Sequence, residues 1–389
     1  MTAPPQPSRA LLLDLYAAAL RAVDARRCVR AALAGEPPAG VHGVVVFAVG
    51  KAAARMTQGA CDALGPRLAR ALLVTNAGHA DAALHADPRI TVVESAHPVP
   101  DARSLAAGAQ LLAATGSLAP GEWPLLLVSG GASSLVEVLR EGVTLADLAG
   151  RNRDWLAGGA DIGTINTGRR ALSRLKGGGW VTHLRGRAGL ALFISDVPGD
   201  DPAVIGSGLA GPVPGGPDGL RRRIIASVDD ATSAVQAAAH AAGLRARIGA
   251  TRFAGDAATL GARFAAELAT REVDVLVHGG ESTVRLPRDP GRGGRNQHLA
   301  LAAARALRGA PGLALLAAGT DGADGPTEDA GALVDGDTWQ RIIDAGLDPG
   351  AALARADSGT ALEAAGDLVH TGPTGTNVGD LVIGLAHMV

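Results

Sequence analysis

The sequence predicts an α/β protein organised around a mostly parallel sheet, and two observations lead to that prediction. Short runs rich in Val, Leu and Ile alternate with alanine-rich stretches of helical length, as in proteins whose helices cover the faces of a parallel sheet. Nearly every apolar run is followed by a polar or glycine-rich turn, which marks the edge at which such sheets bind ligands.

Seven apolar runs have the length and composition of strands, at residues 44–49, 71–75, 90–94, 125–128, 190–194, 273–277 and 313–317. The turns that follow them read, in chain order, GKAAAR, NAGHAD, SAHPVPD, SGGASS, SDVPGD, HGGEST and GTDGADG. Before the first strand, one amphipathic helix is predicted from about Ser8 to Arg30.

The length of 389 residues corresponds to two or three domains of roughly 150 residues each. A Gly/Pro-rich stretch at residues 206–219 and alanine-rich helices predicted at 224–271 separate the first five strands from the later ones. We therefore place a domain boundary near Ser227, with one domain at residues 1–226 and another at 227–389.

The composition argues against several classes of partner. The formal net charge is −2 and only nine side chains are aromatic, so neither a phosphate-binding surface for nucleic acid nor a base-stacking platform is expected. No apolar run approaches the roughly 18 residues of a membrane-spanning helix. The N-terminus lacks the basic start of a signal peptide, and Cys28 and Cys61 lack metal-ligand spacing, so we expect a cytoplasmic protein without a zinc site.

Lysine occurs only at positions 51 and 176, although Lys and Arg together number 36. Lys51 follows an apolar run and a glycine at the start of a predicted helix, where backbone N–H groups and the helix dipole favour an anion. Because an ammonium group is a compact point charge, both lysines are candidates to contact phosphate. The alternative for each is a solvent-exposed lysine.

A second anion site is predicted where GRGGRNQHLALAAA passes from a glycine turn into a helix, because Arg295 and Asn296 lie in its first turn. The positive charge of Arg295 opposes the helix dipole at this position, and a bound anion would explain its presence. The alternative is that Arg295 is a surface residue paired with a neighbouring side chain. Asn296 and Asn377 both lie in motif segments, where the turn chemistry of Asn is the alternative to ligand binding.

Two acidic clusters follow apolar runs. One contains Asp196, Asp200 and Asp201, and the other contains Asp321 and Asp324. Carboxylates at strand ends suit a base or a Mg²⁺ ion that also touches phosphate, whereas the ordinary role of Asp is to cap turns and helices. We expect at least one of these residues to act as a base or metal ligand.

Other familiar motifs are absent or lack their context. No G-x-x-x-x-G-K-[ST] occurs, and the G-x-G-x-x-G at residues 206–211 is not followed by a helical pattern. Ser129, Ser133 and Ser134 lack the G-x-S-x-G elbow of a hydrolase, and the glycines of VSGGASSL better suit a loop that holds phosphate.

In their order along the chain, the motifs resemble those of the glycerate 2-kinase family, whose C-terminal part is often called the MOFRL domain and which was long mislabelled hydroxypyruvate reductase. The motifs cover most of the chain and read VGKAAARM, HPVPDARS, VSGGASSL, INTGRRALSRLKGGG, SDVPGDDP, GGESTV, GGRNQHLAL, AAGTDGADGPTEDAGA and TGPTGTNVGDL. The sequence departs from the usual family residues at Gly179, Leu209, His298 and Gly379.

The resemblance implies a large Rossmann-like N-terminal domain, a smaller α/β C-terminal domain, and an active site in the cleft between them. It implies transfer of a phosphoryl group from ATP to the 2-hydroxyl of D-glycerate, with Mg²⁺ bridging the phosphates. Lys51, Arg295 and Asp196 are the expected catalytic residues, and Asp200 and Asp324 are the expected metal ligands. The expected contacts to substrate and nucleotide are Gly50, Ser129, Gly130, Gly131, Ser133, Lys176, Glu281, Asn296, Asp321, Thr374 and Asn377.

The sequence leaves open which Asp is the base, which small hydroxy acid is the acceptor, which nucleotide is preferred, and whether the chain forms an oligomer such as a homodimer. An NAD(P)H-dependent hydroxypyruvate reductase is one alternative function, and a ligand-binding relative without catalysis is another. The expected partners are D-glycerate and ATP, with no nucleic acid and no membrane.

Overall fold

The chain folds into two compact units in a computed structural model that describes residues 9–38, 40–41, 43–157, 162–215 and 218–386. The first, here called the parallel-sheet unit, contains Asp24–Ser227 and Gly375–Asn377. The second, called the mixed-sheet unit, contains the described residues of Met1–Val23, Val228–Thr374 and Val378–Val389.

The parallel-sheet unit is built on six strands: β1 (Gly43–Val49), β2 (Leu68–Asn76), β3 (Ile90–Ser95), β4 (Glu122–Val128), β5 (Gly189–Ile194) and β6 (Leu220–Ala226). They form one sheet in the order β3-β2-β1-β4-β5-β6, and all neighbours are parallel. Its helices are α2 (Ala25–Ala32), α3 (Ala53–Leu64), α4 (Ala82–Ala86), α5 (Ala102–Gly116), α6 (Ala132–Leu135), α7 (Leu145–Ala157) and α8 (Ile162–Leu172).

The central strands of this sheet are continuous apolar runs because parallel strands are covered on both faces. Phe47 on β1 packs edge-on against Trp180, with ring centroids 5.9 Å apart, and both side chains are fully buried. The indole N–H of Trp180 donates to the hydroxyl of Thr115 at 2.8 Å, which satisfies its polar group inside the core. The sheet is therefore a rigid base for the loops at its edge.

The mixed-sheet unit contains β7 (Ala246–Ile248), β8 (Phe253–Asp256), β9 (Val275–Thr283), β10 (Leu313–Gly319), β11 (Gly331–Asp335), β12 (Leu368–Val369) and β13 (Asp380–Ala386). The sheet order is β12-β11-β10-β13-β9-β7, with β8 also paired to β9. Its helices are α1 (Arg9–Ala22), α9 (Val228–Ala241), α10 (Ala257–Ala269), α11 (Arg295–Leu307), α12 (Thr338–Asp344), α13 (Pro349–Ala354) and α14 (Ser358–Ala364).

The core of the mixed-sheet unit includes a close contact between α10 and α11. A Cβ atom at Gly261 would lie 2.2 Å from the carbonyl oxygen of Leu299, so only glycine permits this approach of the two helices. Leu260 and Phe264 on α10 are buried in the same apolar cluster as Leu299 and Leu301 on α11. This packing fixes α11, whose first residue is Arg295.

The α/β fold class is confirmed, and each of the seven predicted strands corresponds to an observed one. The prediction of a mostly parallel sheet holds for the first unit only, because β9, β13, β10, β11 and β12 form antiparallel pairs in the second. Among the described residues, no helix combines the length and apolar character needed to span a membrane.

The predicted single helix from Ser8 to Arg30 is wrong. Two helices occupy this region, and α2 begins after Asp24, whose carboxylate accepts a hydrogen bond from the backbone N–H of Arg27 at 2.8 Å. An Asp in this position is a strong start signal for a new helix. Ser8 lies outside the described residues.

The alanine-rich helices predicted at residues 224–271 also need correction. Ile224 lies in strand β6, and β7 and β8 separate α9 from α10. The chain passes from the parallel-sheet unit to the mixed-sheet unit after Ser227. The division into 1–226 and 227–389 differs from the observed units at the described residues before Asp24, at Ser227 and at Gly375–Asn377.

Candidate functional site

The order of strands in the parallel sheet defines where a ligand can bind. Strands β2 and β3 lie on one side of β1, and β4, β5 and β6 lie on the other. In open α/β sheets the crevice outside the carboxyl ends of the two strands at such a reversal is the usual ligand site. Lys51 follows β1, and the loop Ser129–Gly131 follows β4, so both predicted phosphate-binding elements lie at this point.

Hydrogen bonds join these two loops directly. The backbone N–H of Lys51 donates to the carbonyl of Gly130 at 2.9 Å, and that of Ser129 donates to Val49 at 3.1 Å. The hydroxyl of Ser129 accepts from the backbone N–H of Ala52 at 3.0 Å, immediately before α3. Ser129 is fully buried, so its hydroxyl holds the start of this helix in place.

Two glycines, Gly50 and Gly131, allow the loops to approach so closely. Gly50 has φ +138°, and a Cβ there would lie 2.2 Å from the hydroxyl oxygen of Ser129. A Cβ at Gly131 would lie 3.1 Å from Cγ of Lys51 and 3.1 Å from Cδ2 of His97. Lys51 and His97 therefore flank the same glycine, and both are half-buried. Ser133, another expected contact, is half-buried on the short helix α6.

The third side of this site comes from the loop after β5. Asp196 is half-buried, and the side-chain N–H of Asn377 donates to its Oδ2 atom at 3.2 Å. A Cβ at Gly130 would lie 1.9 Å from the same carboxylate oxygen and 2.6 Å from the amide nitrogen of Asn377. The structure therefore brings Gly130, Asp196 and Asn377 together.

Lys176 is neither a solvent-exposed lysine nor directed to an open phosphate site. The residue is 5% exposed, and its ammonium group pairs with Glu137 inside the unit, so it is not a solvated lysine. Burial lowers the pKa of Lys176, and the charge of Glu137 counteracts that effect. The backbone N–H groups of Gly177 and Gly178 donate to Ser207 and Gly208, so both are already engaged within the protein.

The mixed-sheet unit gathers a second set of predicted residues at one edge of its sheet. Because β13 is antiparallel to β9 and β10, its first residue, Asp380, lies at the edge where those two strands end. Nε and Nη2 of Arg295 donate to the carboxylate of Asp380 at 2.6 and 2.9 Å. Glu281 forms an ion pair with Nη1 at 3.1 Å.

The electrostatics of Arg295 follow from these partners. Burial opposes its charge, but the carboxylates of Asp380, Glu281 and Asp324 outweigh that effect and raise the pKa of Arg295. The guanidinium is therefore permanently charged. Arg295 is thus paired with neighbouring carboxylates, as the alternative interpretation of the sequence expects. Its side chain is 35% exposed, so one part of it is accessible to solvent.

Asp324 caps the helix that begins with Arg295. Its two carboxylate oxygens accept hydrogen bonds from the backbone N–H groups of Asn296 and Gln297 at 3.0 and 2.7 Å. The side-chain N–H of Asn296 also points to Asp324, at 3.3 Å, and both residues are buried. This is the capping role that sequence analysis left as the alternative to metal binding.

Burial raises the pKa of Asp324 from its usual 3.8 to about 7, although the two amides of α11 act in the opposite direction. The folded protein therefore holds a proton that the unfolded chain releases between about pH 4 and pH 7. The contribution of Asp324 to stability is consequently fully present below about pH 4 and is lost as the pH rises through 7.

Asp324→Asn is expected to remove this pH dependence. The stability of the wild type relative to the variant should fall between pH 4 and pH 7 and level off above that range. Urea unfolding at a series of pH values measures this difference. Asp344→Asn, which alters an exposed carboxylate of the same unit, is the control and should give a flat difference. A flat difference for Asp324→Asn as well would contradict the prediction.

The loops that carry Asp321 and Thr374 are joined by hydrogen bonds. Thr374 donates through its hydroxyl to the carbonyl of Thr320 at 2.5 Å and through its backbone N–H to Asp321 at 3.2 Å. Asp321 is half-buried, and its carboxylate accepts from the backbone N–H of Ala323 at 3.2 Å. The two residues therefore belong to one structured loop pair at the end of β10.

The expected metal ligands fall in different units, Asp200 in the parallel-sheet unit and Asp324 in the mixed-sheet unit. Asp200 is half-buried with φ +51°. Within the described ranges, no group of three or more His, Cys, Asp or Glu side chains is arranged to hold a metal ion.

Sequence reasoning missed three residues that the structure places among these groups. In the sequence, Asp380 and His97 stand out only as parts of motifs, and Glu137 has no apparent role. The only signal for Asp380 is its place between a glycine and an apolar run, which resembles the setting of the two acidic clusters.

These features define a two-unit α/β protein. One unit has a parallel sheet in the Rossmann order, with a lysine and a glycine loop at its reversal point, and the other has a mixed sheet with an arginine at a helix start. The sequence pattern described as "Domain of unknown function (DUF4147)" matches residues 11–238, and that of the "MOFRL family" matches residues 274–380. The chain belongs to the DUF4147/MOFRL glycerate kinase family, which confirms the resemblance found in its motifs.

Known relatives match over nearly the whole chain. A D-glycerate 2-kinase of Thermotoga maritima is 34% identical over 98% of this chain and 99% of its own length. The crystal structure of glycerate kinase from that organism has a TM-score of 0.87 and covers 97% of this chain and 99% of that one. A protein of Agrobacterium vitis with a provisional hydroxypyruvate reductase name is 39% identical over 87% of this chain and 86% of its own length.

Proposed function

We propose that this chain is a kinase that transfers a phosphoryl group from ATP to the 2-hydroxyl of D-glycerate. The observation that carries the proposal is the position of Lys51 beside the Ser129–Gly131 loop at the reversal point of the parallel sheet. A glycine loop and a point charge at this place suit the phosphates of a nucleotide. The match to a D-glycerate 2-kinase over 98% of the chain supports the acceptor and the position of transfer.

In this proposal the protein supplies positioning and charge, which is the main requirement for phosphoryl transfer. Lys51 and Arg295 hold the transferring group and stabilise the charge on its oxygens. Asp196 orients the attacking hydroxyl, with Asn377 hydrogen-bonded to the same carboxylate at 3.2 Å. As the hydroxyl oxygen bonds to the γ-phosphorus, the bond from that phosphorus to the bridging oxygen breaks and ADP leaves, and the proton of the hydroxyl would pass to the carboxylate of Asp196.

Asp324 does not fit the predicted role of a metal ligand, because both oxygens of its buried carboxylate accept hydrogen bonds from α11. Asp200 remains the predicted ligand. Mg²⁺ is usually held by one or two carboxylates together with substrate phosphates, so we propose that the ion enters with the nucleotide and neutralises its phosphate charge.

The glycine pattern at residues 206–211 gives no support to a nicotinamide-dependent reductase. A dinucleotide fingerprint requires glycines between a strand and the start of a helix. Here the pattern leads through a turn towards β6, and the carbonyls of Ser207 and Gly208 accept from the KGGG segment. Oxidation of NADH at 340 nm with hydroxypyruvate would nevertheless detect that activity if it were present.

The test of the proposed function is a coupled assay of ADP release across a panel of small hydroxy acids, with phosphorus NMR of the product. We expect turnover with D-glycerate and a product that enolase converts directly, because phosphate at the 2-position needs no mutase. A strict requirement for a mutase would show that the 3-hydroxyl is the acceptor. ADP release with another acid but not with D-glycerate would reassign the substrate.

A further inference from the structure

We propose that Asp380 is a positioning residue for this reaction and acts by fixing the guanidinium plane of Arg295. The inference rests on the proposed kinase function, in which Arg295 holds the transferring phosphoryl group. The carboxylate of Asp380 is 1% exposed and is turned to Arg295, so its effect on substrate passes through that side chain.

The contact between the two residues has two points. Arg295 donates to one carboxylate oxygen through Nε at 2.6 Å and to the other through Nη2 at 2.9 Å. Two parallel hydrogen bonds fix the orientation of the guanidinium as well as its position, whereas one would let it turn. Arg295 is the first residue of α11 and Asp380 the first of β13, so regular elements carry both partners.

The geometry of the contact decides which part of Arg295 meets substrate. Asp380 occupies the edge formed by Nε and Nη2, and the other edge is formed by Nη1 and the second N–H of Nη2. Glu281 lies at that second edge, where its exposed carboxylate pairs with Nη1 at 3.1 Å. The edge opposite Asp380 is therefore the one directed to phosphoryl oxygens, which would share Nη1 with the exposed carboxylate of Glu281 or displace it.

The surroundings of Asp380 make a purely stabilising role a poor explanation. A Cβ at Gly319 would lie 3.5 Å from a carboxylate oxygen of Asp380 and 3.2 Å from one of Asp321, so two acidic groups border the same glycine. A buried ion pair is generally no more stable than apolar side chains of similar volume. A buried carboxylate close to a second carboxylate lowers the stability of the folded protein. The need to orient Arg295 explains why Asp380 is present despite this cost.

The backbone around the pair is also held in place. The hydroxyl of Tyr16 donates to the carbonyl of Gly319 at 2.5 Å, at the end of strand β10 and beside Asp380. Burial, followed by the charges of Asp321 and Asp380, raises the pKa of Tyr16, so the phenol stays protonated and remains a donor. The backbone next to Asp380 is therefore held in place, and this fixes the position of its carboxylate.

The decisive experiment is a double-mutant cycle in the full-length enzyme. Asp380→Asn keeps the shape of the side chain but removes the charge and one acceptor, and it should lower kcat about 10- to 100-fold while KM for ATP changes less than about threefold. In an Arg295→Lys background, where no planar group remains to orient, the same change should cost less than about threefold.

Two further variants separate positioning from stability. Asp380→Glu keeps the charge but displaces the carboxylate, so kcat per folded molecule should fall by a similar factor even where the added methylene lowers Tm. Asp367→Asn is the matched control, because Asp367 is buried and accepts from Arg341 at 2.9 and 2.7 Å in the same unit. It should lower Tm without changing kcat per folded molecule.

Equal losses for Asp380→Asn in the wild-type and Arg295→Lys backgrounds would overturn the positioning role, and so would an Asp380→Glu enzyme with wild-type kcat. Failure of the proposed function looks different, because the wild type itself would then release no ADP with any of the hydroxy acids. That result would overturn both proposals together.

Discussion

Replacing Lys51 with Ala is expected to lower kcat about a hundredfold or more, because a charge that acts on the transferring phosphoryl group is lost. Lys51 lies at the reversal point of the parallel sheet, with its backbone N–H bonded to Gly130. The coupled ADP assay at saturating ATP and D-glycerate measures the effect. Lys51→Arg should restore little of the rate, since a planar guanidinium cannot replace a compact ammonium beside Gly131.

The control for this prediction is Arg67→Ala, which removes an exposed cation from the same unit and should leave kcat unchanged. Both variants should unfold at the same denaturant concentration as the wild type, within error. Wild-type turnover by Lys51→Ala would show that the lysine has no role in phosphate transfer.

Gly50→Ala should have the second large effect, on folding and activity together. The added Cβ would lie 2.2 Å from the hydroxyl oxygen and 2.8 Å from the carbonyl oxygen of Ser129, and φ at this position is +138°. The backbone of two adjacent loops would have to separate, so we expect a loss of about 3 kcal/mol or more in the free energy of unfolding. Urea denaturation followed by circular dichroism measures it.

Gly121→Ala provides the comparison, because Gly121 also has a positive φ, of +84°, but no atom lies within 4 Å of the Cβ that would be added. Its cost should be limited to the backbone strain of about 1 kcal/mol. If the two variants lost the same stability, steric contact with Ser129 would not be what holds these loops together. A stable Gly50→Ala protein should still show reduced kcat, because Lys51 is the next residue.

The elements that sequence analysis located correctly share one property. Strands such as β1 and β4 are continuous apolar runs, buried on both faces, and each ends at a glycine-rich turn. Their functional residues follow directly in the chain, so the sequence alone assigns Lys51 and Ser129 to one edge of the sheet. The local sequence pattern is sufficient to locate these residues, because the carboxyl ends of parallel strands all lie at the same edge of the sheet.

Strand β6 escaped detection for a local reason. Its sequence, LRRRIIA, places three arginines in succession, and its burial does not alternate cleanly along the strand. The strand lies at the end of the sheet with β5 as its neighbour, where an edge position tolerates charged side chains. The sequence pattern therefore assigns its two isoleucines to the alanine-rich helix that follows.

Asp380 escaped detection for a different reason, since the direction of a strand is a property of the tertiary fold. A carboxylate that precedes an apolar run would lie at the far edge of a parallel sheet, away from the residues that follow other strands. Because β13 runs antiparallel to β9 and β10, its first residue instead lies beside the ends of both. Nothing in the periodicity of the chain encodes that reversal.

The assignment of α1 to the mixed-sheet unit has a consequence for biosynthesis. The rest of that unit starts at Val228, so during translation at roughly 5–20 residues per second α1 precedes the first of its partners by roughly 10–40 s. Until then Leu12, Leu15 and Tyr16, which are buried in the finished protein, have no native surface to cover them. The apolar side chains of α1 therefore lack their native partners while residues 24–227 are synthesised, so the mixed-sheet unit cannot complete its core until late in translation.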